Sequence, residues 1–153
     1  MLHRDLKSLN ILLDENLTPK IADFGWTRLL ADKMTLKVGT FQWMAPEVIK
    51  TKSYTEKADI YSFGIILWEI ASREAPYKTL NGYQVSIDVV ENKLRPPVSA
   101  DWPKPFTKLM ATIIMVTLSA VAPVASLMMN LEKDFCFSKA IRPAMNSGRF
   151  NTV

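Results

Sequence analysis

Residues 56–72 constrain the fold of this chain more than any other stretch. Ala58, Ile60, Tyr61, Phe63, Ile65, Ile66, Leu67, Trp68, Ile70 and Ala71 leave almost no polar face when wound into a helix, so that helix has to be buried all round. Its start carries Glu56, Lys57 and Asp59 and its length falls short of a bilayer, which places it in a globular core rather than a membrane. Either Ser53 with Glu56 as a capping box, or Thr55 alone, supplies its first cap. The chain has 153 residues, 48% apolar and 22% charged, enough for one domain around such a helix.

Before that helix the pattern is different. Residues 9–13 and 20–24 are short apolar runs separated by the turn-rich Asp14-Glu15-Asn16-Leu17-Thr18-Pro19, which predicts a β-hairpin. Residues 26–40 show neither period and read as a surface loop. Ala45-Pro46-Glu47-Val48-Ile49-Lys50 predicts a short helix with Pro46 in its first turn, where a missing N–H costs nothing. Residues 81–93 predict an amphipathic helix stopped by Arg95-Pro96-Pro97, and 101–105 a Pro-punctuated loop.

The net charge of +4 comes from basic residues scattered along the chain without a basic run, so no nucleic-acid partner is expected. The single cysteine, Cys136, cannot close an intramolecular disulfide, and with one histidine, His3, no zinc site of Cys/His spacing can be assembled. No export signal is visible at the polar start, and a cytoplasmic location is expected.

Chemistry concentrates near the start. His3-Arg4-Asp5-Leu6-Lys7-Ser8-Leu9-Asn10 precedes the first strand, and Asp23-Phe24-Gly25 closes the second, so folding the hairpin brings Asn10 and Asp23 to one end. Two hard oxygen ligands beside a free carboxylate suit Mg²⁺ on a triphosphate and a hydroxyl to be oriented.

These residues resemble the catalytic loop and metal-binding Asp-Phe-Gly of eukaryotic protein kinases. The likeness continues through Gly39-Thr40-Phe41-Gln42-Trp43-Met44, Ala45-Pro46-Glu47 and Asp59-Ile60-Tyr61-Ser62-Phe63-Gly64-Ile65, with wording nearest the tyrosine-kinase-like branch of Ser/Thr kinases. It implies a mainly α (α+β) fold, a kinase C-terminal lobe with a small β-hairpin, spanning about residues 1–110, with 111–153 as a divergent tail. It implies transfer of the ATP γ-phosphate to a protein Ser/Thr hydroxyl, with Asp5 as base, Lys7 on the transferred phosphate and Thr40 bonding both. Asn10 and Asp23 would hold Mg²⁺; His3, Arg4, Phe24, Gly25, Glu47 and Asp59 would support the site. Asp59 would brace the catalytic-loop backbone, and Arg4 would meet a phosphorylated Thr27 or Thr35.

The sequence also departs from the family. Its five glycines never form the G-x-G-x-x-G that covers ATP phosphates, and no lobe precedes His3, so the chain alone is expected to transfer phosphate poorly or to serve as an inactive interaction module. The Arg-Pro that would partner Glu47 is displaced to Arg142-Pro143, which would leave that carboxylate unpaired. Residues 109–131 carry no charge, and three readings stay open: a membrane span, the last core helices of the lobe, or translation of a wrong frame or intron.

Overall fold

The computed structural model describes residues 2–16, 18–24, 40–52, 54–115 and 151–152. Helix α2 (Glu56–Ser72) lies at its centre, with the bounds predicted from its apolar content. The first helix, α1 (Pro46–Thr51), has Pro46 in its opening turn as expected; α3 (Gly82–Glu91) and α4 (Lys104–Met115) follow α2. Strands β1 (Ile11–Leu13) and β2 (Pro19–Ile21) form the predicted antiparallel hairpin, with Ile11 opposite Ile21 and Leu13 opposite Pro19.

Local chemistry sets each boundary. Thr55, extended at φ −127°, caps α2 by accepting the Lys57 N–H at 3.3 Å; Ser53 lies outside the described residues. The helix stops where Arg73 turns left-handed at φ 58° and sends its N–H back to the Glu69 carbonyl at 2.8 Å. Asn81 and Gln84 close a reciprocal capping box on α3, satisfying two amides that the helix itself leaves without partners. In the hairpin turn, Asp14 accepts the N–H groups of Thr18 and Asn16. The Thr18 bond is the main reason its carboxyl sits below the usual range.

Three features differ from the sequence reading. The hairpin gains a third strand, β3 (Asn151–Thr152), which runs parallel to β1 with Leu12 opposite Asn151. The loop predicted over 101–105 gives way to α4 at Lys104, because Pro105 falls in the first helical turn, where its ring needs no N–H partner. The helix expected over 81–93 ends at Glu91, where Lys93 turns left-handed at φ 52° and the Leu94 N–H returns to the Asp88 carbonyl.

The core joins Ala58, Tyr61, Ile65, Ile66, Leu67 and Trp68 of α2 to Phe106, Leu109, Met110, Ile113 and Ile114 of α4. The first residues of the uncharged segment, Leu109, Met110, Ile113 and Ile114, therefore pack into this core, and α4 continues past residue 110; residues 116–131 lie outside the described residues. Among the described residues, no helix is long and apolar enough to cross a membrane. Arg95 fastens the segment between α3 and α4. It donates to the Ile114, Val89 and Leu94 carbonyls at 2.9, 3.1 and 2.8 Å and lies 5.6 Å from the Tyr61 ring centroid.

Gly64 sets how closely α4 approaches α2. A Cβ there would fall on Cγ2 of Ile113 and within 3.2 Å of Cγ1 of Ile114, both on stiff β-branched side chains. Gly64→Ala gains about 1 kcal/mol of helix propensity but overpacks this contact, and a net loss of about 1–2 kcal/mol is expected in urea unfolding. An unchanged or raised midpoint would show that α4 gives way freely.

Candidate active site

The start of the loop, His3 and Arg4, is held on α2 by the Asp59 carboxylate. Asp59 accepts the backbone N–H of His3 at 2.8 Å and of Arg4 at 3.0 Å, and the Tyr54 hydroxyl donates to the same oxygen as Arg4 at 2.8 Å. Burial first, then the neighbouring Asp59 charge, pushes the Tyr54 phenol well above its ordinary range, so it stays a donor. Arg4 needs this support: its φ of 68° is left-handed, a conformation that costs a non-glycine residue roughly 1–2 kcal/mol. Asp59 thus contacts the loop backbone at two amides.

His3 is 6% exposed and ties the loop to the end of the hairpin. The Asp5 N–H donates to its Nδ1 at 3.3 Å, and its Nε2 lies 3.0 Å from the Ala22 carbonyl, which can only accept. The partners therefore assign the ring proton to Nε2. Its ring also meets Phe24, with centroids 5.0 Å apart at 56°.

Asp5 is 14% exposed at its side chain, and Lys7 Nζ reaches its Oδ2 at 2.8 Å. Asn10 donates its Nδ2 to the Asp5 carbonyl at 2.8 Å and, more weakly, to Oδ2 at 3.4 Å. Those bonds fix the Asn10 amide, leaving its Oδ1 as the acceptor. The remaining Asp5 oxygen, Oδ1, has no hydrogen-bond partner among the described residues and can accept a proton from an incoming hydroxyl.

Asn10 and Asp23 come to the same end of the hairpin, as the sequence implied. The Ala22 N–H donates to the Asn10 carbonyl at 2.8 Å, one step beyond the Ile11–Ile21 pair, and Asp23 follows at φ 64°. The Asp23 carboxylate is exposed and makes no hydrogen bond or ion pair among the described residues. An amide oxygen and a free carboxylate fit Mg²⁺, which takes one or two protein oxygens and completes its shell with water and phosphate. Among the described residues no cluster of three or more His, Cys, Asp or Glu suited to a metal exists, so a cage built only from protein side chains of those types is not present there.

Thr40 is half-buried and opens the 3-10 turn Phe41–Trp43, but its hydroxyl makes no bond to Asp5 or Lys7. Glu47 lies in the first turn of α1, partly exposed and without an ion pair among the described residues, so water shares the charge that the sequence left unpartnered. Arg4 Nε is buried and has no partner among the described residues. Gly25, Thr27, Thr35 and Arg142 lie outside the described residues.

Sequence reasoning passed over Tyr54 and Glu69. Glu69 is 5% exposed, accepting the Ser8 hydroxyl at 3.0 Å and the Trp43 indole N–H at 2.7 Å. Its signal was the one charge beyond the helix's charged start, in a stretch otherwise apolar on nearly every face, since such a charge has to find buried donors. Tyr54 left no comparable pattern.

Comparison with known proteins agrees with this geometry. The sequence profile of a family described as protein tyrosine and serine/threonine kinase matches residues 1–131. A probable serine/threonine-protein kinase of Dictyostelium discoideum is 45% identical over 112 residues, covering 72% of this chain and 12% of that protein. Serine/threonine-protein kinase STY46 of Arabidopsis thaliana is 47% identical over 100 residues, 64% of this chain and 17% of its own length. The probable serine/threonine-protein kinase drkA of Dictyostelium discoideum is 47% identical over 111 residues, 72% of this chain and 17% of its own. The chain thus spans less than a fifth of the length of these relatives. A loop braced on α2, a hairpin that brings Asn10 and Asp23 to one end, and this breadth of identity place the chain in the protein kinase family, as a mainly helical C-lobe with a small β-sheet.

Proposed function

We propose that this chain carries the phosphate-accepting half of a protein Ser/Thr kinase site, which moves the γ-phosphate of ATP to a protein hydroxyl. The observation that carries the reading is the Asp5 carboxylate: one oxygen is pinned by Lys7 at 2.8 Å and the other is open, on a loop fixed by Asp59. Asp5 orients the acceptor hydroxyl and takes its proton. Lys7 steadies Asp5 and offers its charge to the phosphate. Asn10 and Asp23 would hold Mg²⁺, which would supply neutralisation of phosphate charge. Thr40 joins the base and lysine when an acceptor is seated, and Thr27 or Thr35, once phosphorylated, engages Arg4.

The preference for Ser and Thr rests on Lys7 and on the names of the relatives, all serine/threonine kinases. Incubating the chain with Mg-ATP and peptides that offer Ser, Thr or Tyr tests it. Phosphoserine or phosphothreonine is expected; phosphotyrosine as the main product would contradict the substrate class.

A further inference from the structure

Asp59, Ser62 and Glu69 follow one another at three and seven residues along α2, so they share a flank of the helix. Each holds a segment of the site. Asp59 takes the His3 and Arg4 amides, Ser62 donates to the Trp43 carbonyl at 2.7 Å, and Glu69 takes Ser8 on one oxygen and Trp43 on the other. Ser8 opens the 3-10 turn that ends at Asn10, and Trp43 ends the turn that begins after Thr40. Both are buried, at 3% and 8% exposure, so neither bond has water as a ready substitute.

We propose that Glu69 is a positioning residue that locks the Thr40–Trp43 segment in register with the catalytic loop, so that a shift in either is passed to the other through one carboxylate. Geometry makes the transmission direct. The two oxygens belong to one rigid planar group, and a tilt that follows Ser8 moves the acceptor of the Trp43 indole. Distance alone would not give this: Ser62 also grips Trp43, yet it has no hydrogen bond to residues 3–10. The joint itself stands on the hydrogen bonds; its consequence for catalysis rests on the kinase reading above.

The indole Nε1–H resonances in a proton–nitrogen NMR spectrum report the joint without any activity. Ser8→Ala is expected to move the Trp43 indole peak, while the Trp68 indole, bonded to the Pro97 carbonyl at 2.7 Å, keeps its position. In a Glu69→Met background, Ser8→Ala should leave the Trp43 peak unmoved. Should Glu69→Met fail to fold, Trp43→Phe serves instead, with faster amide exchange expected at Asn10 and no change across α4. An unmoved Trp43 peak in Ser8→Ala, or equal shifts of Trp43 and Trp68, would overturn the proposal. In phosphate transfer, Trp43→Phe is expected to raise the peptide KM about tenfold and leave the nucleotide KM unchanged. A lowered kcat with both KM values unchanged would overturn the positioning role. Absence of transfer by the unaltered chain would count against the kinase reading and leave the NMR result to decide the joint.

Discussion

Replacing Asp5 with asparagine is expected to lower phosphate transfer by about 10²–10⁴-fold, the range that general-base groups contribute, with little change in fold or Mg-ATP affinity. The change is nearly isosteric. The substituted amide could still accept from Lys7 or Asn10 through its oxygen, so the loop retains its braces on Asp59 and His3, which involve the backbone of residues 3–5 rather than the Asp5 side chain. What disappears is the open carboxylate oxygen proposed to take the hydroxyl proton. Parallel measurements of turnover, unfolding midpoint and nucleotide affinity separate these effects. A variant within about tenfold of the parent rate would remove Asp5 from the proton path and leave only an orienting role.

The largest expected loss of stability comes from Asp59→Ala. That change strips the acceptor from two backbone amides and one phenol at once, in a partly buried setting. Hydrogen bonds to a charged group are worth about 1.5–3 kcal/mol each, but contacts sharing one carboxylate are not additive, and a total of about 3–5 kcal/mol is expected. Domains of this kind are stable by only about 5–15 kcal/mol, so the variant should unfold at much lower urea or fail to fold. Left-handed Arg4 would lose its tether first. Asp59→Asn should fall between, since its amide oxygen can still accept on one side of the group while its NH₂ opposes the donors on the other. A loss under about 1 kcal/mol in Asp59→Ala would show that residues 3–5 hold their shape without α2.

How far the sequence reveals this architecture depends on whether a feature is local. Helix α2 was legible because its apolar run over about 56–72 has only one way to hide, and Pro46 marked the start of α1 for an equally local reason. The hairpin was legible from its turn, and with it the shared end of Asn10 and Asp23. Strand β3 was not, since two residues carry no period and their partner lies far away in sequence. The break at 101–105 was misplaced because proline ends a helix and begins one equally well.

The site divides along the same line. Asp5, Lys7, Asn10 and Asp23 could be read because they are close in sequence or joined by a short hairpin. The link from Asp59 to His3 and Arg4 spans more than fifty residues and was accessible only through family likeness. Tyr54 and Glu69 show the limit of pattern: a phenol aimed at Asp59 and a carboxylate shared by Ser8 and Trp43 are products of tertiary packing. Thr40 illustrates the converse, since likeness to the family assigns it a bond that its position beside the 3-10 turn does not make here.

The central claim, that the end of the hairpin forms a Mg-nucleotide site served by Asn10 and Asp23, is tested most directly by titrating Mg-ATP into the purified chain in a calorimeter beside Asp23→Ala. Asp23 is exposed and without internal partners among the described residues, so its removal strips no described contact, and an unfolding midpoint measured beside it accounts for the cost of Ala at its φ of 64°. Binding by the unaltered chain, weakened at least about tenfold in the variant and lost when Mg²⁺ is withheld, is the predicted result. Equal affinity in both proteins, or no heat of binding from a folded sample, would contradict it.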